Sequence, residues 1–242
     1  AGGQNVIGLM AYNGGRAEST GDITVTNSDD SIGMVISGTN SSNKISSGTS
    51  SSNIKLKGTR VTGIYNNGTD YVMTGGSVKV EGQDSMGIYA SNVGTTLATT
   101  KLQNGTISAE GIGAVALYAR GGSDIELNNT TLSIGNGGLL FYGAGTASDK
   151  SQLIMTGADS NATIANGGTA FYVKNASGSP LSALISSAST KTLNLNMQSG
   201  STLMVAEGSG GNVGGELVSN LSSLGTGSIT GLNITGTPGT YV

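Results

Sequence analysis

Ser85-Met86-Gly87-Ile88-Tyr89-Ala90 contains the clearest copy of a phrase that returns along the whole chain. Its four central residues recur as Ile7-Gly8-Leu9-Met10, Ile32-Gly33-Met34-Val35, Thr62-Gly63-Ile64-Tyr65, Val115-Ala116-Leu117-Tyr118, Leu139-Leu140-Phe141-Tyr142 and Thr169-Ala170-Phe171-Tyr172, with a weaker copy at Thr202-Leu203-Met204-Val205. Taking the second residue as a marker, the copies stand at 8, 33, 63, 87, 116, 140, 170 and 203, separated by 25, 30, 24, 29, 24, 30 and 33 residues. Short and long spacings alternate until the last. Each unit therefore has a similar length, with extra residues concentrated in every second one. A fixed period of about 20 to 50 residues is the sequence mark of a solenoid or related array.

Between the phrases, apolar and polar residues alternate, as in Ile23-Thr24-Val25, Ile54-Lys55-Leu56, Val78-Lys79-Val80, Ile125-Glu126-Leu127 and Leu193-Asn194-Leu195. Period two means strands. Turn-forming clusters separate them, among them Asn13-Gly14-Gly15, Asn66-Asn67-Gly68, Asn136-Gly137-Gly138 and Asn166-Gly167-Gly168. Sustained helical spacing is missing, the nearest approach being Ser182 to Ala188. Three strands of about five residues and three short turns come to roughly 21 to 30 residues, so one repeat closes one coil. Coils stacked in parallel place equivalent residues about 4.8 Å apart and let each backbone bond to the coil above and below. The chain is thus expected to be all-β, a single-stranded right-handed parallel β-helix of seven to eight coils, roughly 40 Å long. The right-handed form is expected because the coils are long and uneven, whereas left-handed hexapeptide solenoids keep a strict short repeat. A β-sandwich would not require one phrase to return at a fixed interval. The coils are placed over residues 1–205. After Val205 the period breaks, with Leu217, Leu221, Leu224 and Ile229 at looser spacing, so residues 206–242 are expected to form a final irregular coil or cap-like extension of the same domain.

The composition fits this architecture. Glycine accounts for 42 of 242 residues, about 17% against a usual figure near 7%, and together with Asn it supplies positive φ at the corners of every coil. Only 10% of residues are charged and 4% aromatic, so the surface is built from Ser, Thr, Asn and Gly around a thin aliphatic core. Two prolines and no three-residue glycine period exclude collagen. The absence of Cys and His removes disulfides, thiolate and His-based catalysis, and Cys- or His-ligated metals. No catalytic residue, metal site or cofactor is assigned, and the chain is expected not to be an enzyme. A net charge of -3 with 11 basic residues offers no footprint for a phosphate backbone, so nucleic acid is not expected as a partner. No apolar run approaches the roughly 20 residues of a spanning helix.

Alternation within the phrase allows two facings. The one expected here points Leu9, Met34, Ile64, Ile88, Leu117, Phe141 and Phe171 into the core, with Ile7, Ile32, Met86, Val115 and Leu139 beside them. The small marker residues and the tyrosines then point outward. Tyr65, Tyr89, Tyr118, Tyr142 and Tyr172 form an outward ladder over five consecutive coils. Such a ladder covers bare glycine backbone by self-stacking, or offers an aromatic platform for a sugar ring or a partner's apolar patch. These five tyrosines are the candidate binding residues. Three residues before the marker, Asp30, Arg60 and Asp84 follow one another in successive coils. They read as an acid-base-acid surface ladder. A glycosidase reading of the two carboxylates is disfavoured, because the intervening arginine lowers both pKa values, opposite to the need of a general acid.

Glycine-rich runs such as Gly208-Ser209-Gly210-Gly211 lack the lysine and the strand-to-helix context of a phosphate loop and read as turns. Two longer polar insertions, Ser37 to Asn53 and Lys174 to Lys191, are spacers or recognition loops. The Ser-x-Gly-Ile-Tyr-Ala phrase at Ser85 to Ala90, with its Asn and Gly turns and Ile-Thr-Val-type strands, resembles the passenger of a type V autotransporter of Gram-negative bacteria, most of all the very large fusobacterial outer-membrane adhesins. The likeness runs over residues 6 to 205 and carries a degenerate motif. It implies a β-helical stalk exported through an outer-membrane barrel and displayed on the bacterial cell surface for adhesion to a host or bacterial surface protein or glycan. Membrane attachment would then run only through a C-terminal barrel, which this sequence does not contain, so it is expected to be a fragment. A purely structural stalk and, less favoured, a polysaccharide-active β-helix are the alternatives.

Overall fold

The computed structural model describes residues 4–38, 44–92, 99–145, 151–175, 185–187, 191–207 and 232–236. Its strands are all parallel and stack into three sheets. The first sheet contains Ile7–Tyr12, Ile32–Ser37, Thr62–Asn67, Met86–Ser91, Val115–Arg120, Leu139–Gly145, Thr169–Asn175 and Thr202–Glu207. The second contains Arg16–Ser19, Ser47–Ser50, Asp70–Met73, Thr99–Gln103, Asp124–Asn128, Gln152–Met155 and Ile185–Ser187. The third contains Ile23–Thr26, Asn53–Lys57, Ser77–Glu81, Thr106–Glu110, Thr131–Ile134, Ser160–Ile164, Leu193–Met197 and Leu232–Gly236. Each strand pairs with its counterpart one repeat earlier and one repeat later, which makes the molecule a parallel β-solenoid. No helix occurs among the described residues.

Six coils, from Ile7 to Ile164, carry a full strand on every face. That is fewer than the seven to eight expected from the spacing. In the seventh coil the second-sheet strand shrinks to Ile185–Ser187, and the eighth is represented by Thr202–Glu207 and Leu232–Gly236. The latter strand pairs with Leu193–Met197, so part of the segment after Val205 continues the ladder. Residues 208–231, with Leu217, Leu221, Leu224 and Ile229, lie outside the described residues, as do most of Lys174 to Lys191 and the glycine run from Gly208.

Alternation builds a narrow interior. On the third sheet, Ile54, Val78, Ile107, Leu132, Ala162 and Leu195 are in register and buried. On the second, Met73, Leu102, Leu127 and Met155 form a similar file, and fully buried Tyr71 fits beneath Gly48, whose missing Cβ would lie 3.2 Å from the ring. On the first, Met34, Ile64, Ile88, Leu117, Phe141 and Phe171 are aligned and at most 1% exposed. Burying a side chain of this size stabilises the fold by about 1.5 to 3 kcal/mol, so these files dominate the favourable terms.

The marker column corrects one expected facing. Instead of pointing outward, Ala116, Leu140, Ala170 and Leu203 are buried in the core. A Cβ added to Gly63 would collide with Val78 Cγ1, and one added to Gly33 would meet Ile54 Cγ2 at 2.5 Å. The regular pairing skips this position, as between Met86–Val115 and Ile88–Leu117. Two successive side chains therefore enter the interior, the marker against the third sheet and its successor beside it. The residue before the marker is consequently turned away from the core. Ile7 is exposed and Ile32, Met86, Val115 and Leu139 are only half-buried, contrary to the expectation that they line the interior.

The corners explain the rest of the phrase. The column three residues before the marker is Asn5, Asp30, Arg60, Asp84, Gly113, Gly137, Gly167 and Gly200, and every member has φ between 53° and 79°. This left-handed conformation is what the corner between third and first sheets demands. Just after it, Ser31 and Ser85 are buried and accept hydrogen bonds from the N–H groups of Val6 and Val61 at 3.0 and 3.2 Å, one coil earlier. At the corner between first and second sheets, Asn66 donates to the Thr69 carbonyl and to Thr100 Oγ1, both at 2.9 Å, and Ser123 donates to the Ala90 carbonyl at 2.9 Å. Buried hydroxyls and amides thus satisfy backbone groups that the turning chain leaves unpaired.

The connection between first and second sheets also accounts for the alternating period. It spans residues 13–15, 38–46, 68–69, 92–98, 121–123, 146–151 and 176–184, long wherever the marker spacing is long. The supposed insertion Ser37 to Asn53 is only partly a loop, since Ser47–Ser50 is a second-sheet strand.

Candidate functional site on the outer face of the first sheet

Register alone places the five tyrosines over one another: Tyr65 pairs with Tyr89, Tyr89 with Tyr118, Tyr118 with Tyr142 and Tyr142 with Tyr172. Their rings are stacked, with centroids 4.8, 5.2, 4.5 and 5.2 Å apart and planes within 3°, 14°, 6° and 10° of parallel. The coil rise of about 4.8 Å fixes this spacing. Parallel in-register strands leave no room for the edge-to-face geometry that isolated rings often adopt. All five side chains are half-buried. Burial, with the neighbouring tyrosine next in importance, pushes the phenols of Tyr65 and Tyr118 above their ordinary value.

The ladder extends beyond its rings. Val35 pairs with Tyr65 and Met10 with Val35, while Val205 pairs with Tyr172 at the other end. Alongside runs the column before the marker, Ile7, Ile32, Thr62, Met86, Val115 and Leu139. On the other flank stand Tyr12, Ser37, Asn67, Ser91, Arg120 and Ala144. The outer surface of this sheet is therefore a flat strip of tyrosine and aliphatic side chains with one polar border. Strict alternation puts the aliphatic column in the core and so leaves half of the strip out. Its signal was available in the sequence: a position that accepts Ile, Thr, Met, Val and Leu indifferently suits a half-covered surface.

This arrangement limits what the tyrosines can do. Each interior ring has both faces covered by its neighbours, and the two end rings adjoin Val35 and Val205, so a sugar ring has no open aromatic face to lie on. What the strip offers is ring edges, hydroxyls and flanking aliphatics. It can receive a flat apolar surface.

The charged column forms a separate feature at the adjoining corner. Arg60 Nε and Nη2 donate to the two carboxylate oxygens of Asp30, both at 2.7 Å. That bidentate contact, through its hydrogen bonds and charge, holds the Asp30 carboxyl below the usual carboxylate range and the Arg60 guanidinium above its own. The effect runs against general-acid use of Asp30. Asp84, one coil further on, adds a weaker electrostatic pull on Arg60 and shares the left-handed backbone of the column. Among the described residues, no group of three or more acidic side chains is arranged to hold a metal ion, and no helix is long and apolar enough to cross a membrane.

No protein-family profile, curated protein or solved structure matches this chain significantly.

Proposed function

We propose that this β-solenoid is a segment of a surface-displayed adhesin of the autotransporter type, and that it binds an apolar surface patch of a host or bacterial partner protein through the outer face of its first sheet. The observation that carries the reading is the strip formed by Tyr65, Tyr89, Tyr118, Tyr142 and Tyr172 beside Met86, Val115 and Leu139, with Ile32 beyond Thr62. A chain with only 36% hydrophobic residues and a thin core has placed large apolar groups outside. Contiguous apolar surface rimmed by polar groups is characteristic of a protein contact. A protein partner fits better than a glycan because the stacked rings cover one another's faces. The test is binding of the isolated segment to cells and to extracted surface proteins, before and after Tyr118→Ser with Tyr142→Ser. Binding should fall at least tenfold in the double variant and stay unchanged when Lys79 on the third sheet is replaced. Equal binding by all three proteins refutes the assignment to this face.

A second reading, a stalk that only spaces a distant tip, draws support from the same stack: rings that satisfy one another stiffen a rod without any partner. Failure of the unaltered segment to bind any cell would favour it.

A further inference from the structure

We infer that the tyrosine ladder is an oxidative cross-linking site, at which neighbouring coils become joined covalently through dityrosine bonds. Four consecutive pairs of phenols are held face to face at centroid distances of 4.5 to 5.2 Å, with planes within 14° of parallel. Because equivalent tyrosines are paired in register on parallel strands and their planes are near parallel, the Cε atoms ortho to each hydroxyl face the neighbouring ring at about the coil rise. The side chains lie on the outer face and are half-buried, so a tilt of each ring toward its neighbour brings two ortho carbons together without displacing the core. The chain has no Cys with which to form a covalent staple, and these are its only stacked phenols among the described residues. Tethering within one chain also raises the effective concentration of one ring at the next far above that of a second molecule.

The chemistry requires a one-electron oxidant, for which a heme peroxidase using hydrogen peroxide serves. Each phenol loses its O–H hydrogen, as an electron and a proton, to give a phenoxyl radical. The two radicals couple, forming one Cε–Cε bond. Each ring then releases its Cε proton and regains a proton on oxygen, restoring aromaticity. The balance is two tyrosines and one peroxide giving one dityrosine and two water molecules. Coupling should be most frequent at Tyr118–Tyr142, the closest pair at 4.5 Å. This inference does not depend on the adhesive role, because it rests on the ring geometry alone.

The experiment exposes the dilute protein to a heme peroxidase and hydrogen peroxide, then records dityrosine fluorescence, the mass of the monomer and the peptide map. Expected are a monomer lighter by two hydrogens per bond, a yield per chain that does not change over a tenfold range of protein concentration, and a cross-linked peptide joining Tyr118 to Tyr142. The variant Tyr89→Phe with Tyr142→Phe keeps the aromatic stack but leaves the remaining ladder tyrosines two coils apart, and its intrachain yield should fall at least tenfold. To cover oxidant access to half-buried rings, the same measurement is repeated with a photo-excited ruthenium complex and persulfate, a small one-electron oxidant. Absence of intrachain product with both oxidants, a yield that rises in proportion to protein concentration, or a double variant that cross-links as well as the parent would each overturn the inference.

Discussion

The outer faces of the first and third sheets are built by the same stacking yet carry opposite surfaces. On the first, an aromatic column and a mostly aliphatic one run side by side. On the third, Thr24, Lys55, Lys79, Ser108, Ser133 and Thr163 stand in register, and Lys79 Nζ lies 2.8 and 3.0 Å from carboxylate oxygens of Glu81 and Glu110. A solenoid brings identical positions together once per coil, so whatever residue type occupies a column is multiplied along the rod. Like charges repel in such a file, and where Lys55 adjoins Lys79 and Glu81 adjoins Glu110 the third sheet answers by setting the Lys pair diagonally against the Glu pair. Tyrosines attract, stacking at about 0.5 to 1.5 kcal/mol per pair beyond the area they bury, whereas exposed ion pairs contribute about 0 to 1 kcal/mol. The difference teaches that repetition can build an apolar surface at little cost where neighbours cover one another.

The strongest way to test this contrast is to compare the two sides of one strand. Phe141 points inward and Tyr142 outward, and Phe141→Ala should lower the unfolding free energy by about 3 to 5 kcal/mol in denaturant titrations. If it costs no more than Tyr142→Ser, the assignment of inside and outside is mistaken. Next in size is the marker column: Gly87→Val would bring a Cβ within 2.6 Å of the Ala116 carbonyl oxygen, and a loss of about 3 kcal/mol is expected from overpacking. A neutral result in the same titration would show that the column faces solvent after all. Tyr142→Ser, which removes two stacking contacts, should cost about 1 to 3 kcal/mol, while Lys79→Ala on the third sheet should cost at most about 1 kcal/mol and lose its effect at high salt.

The faces should also part in their response to pH. Folding raises the phenol pKa of Tyr65 and Tyr118 above 10.0. Their contribution is therefore complete below that value and is lost as pH climbs through the higher folded pKa. On the third sheet, hydrogen bonding and charge from Lys79 lower the Glu81 carboxyl below 4.5. That contribution is present above 4.5 and disappears as acid takes pH down through the lower folded value. Tyrosinate absorbance followed during alkaline titration should lag behind that of the denatured chain; coincident curves would mean that the ladder is open to solvent.

Much of the architecture was legible because one phrase recurs, and the register of Ile64, Ile88 and Leu117 follows from it directly. The tyrosine stack was equally plain, since aligned markers align the residue two places on. The facing of the marker was misread. Gly8, Gly33, Gly63 and Gly87 look like a column that tolerates anything small, which suggests solvent, but smallness here reflects a backbone that approaches the third sheet too closely for a Cβ. Leu140 and Leu203 in the same column already pointed inward. A strict period of two cannot express a turn that sends two consecutive residues to one side, and the error displaced Ile32, Met86, Val115 and Leu139 from the strip where they belong. Charge obscured the corner in a similar way: Asp30, Arg60 and Asp84 drew attention as ions, although their continuation through Gly113, Gly137, Gly167 and Gly200 identifies a demand on φ.

The corner where the chain passes from first to second sheet varies from two to nine residues while the strands on both sides keep their pairing. That corner is a natural port for grafting. A foreign epitope spliced between Ser91 and Thr99 falls between the strands Met86–Ser91 and Thr99–Gln103, and epitopes inserted at several such corners would be displayed at graded heights along a single edge, spaced by whole numbers of coils.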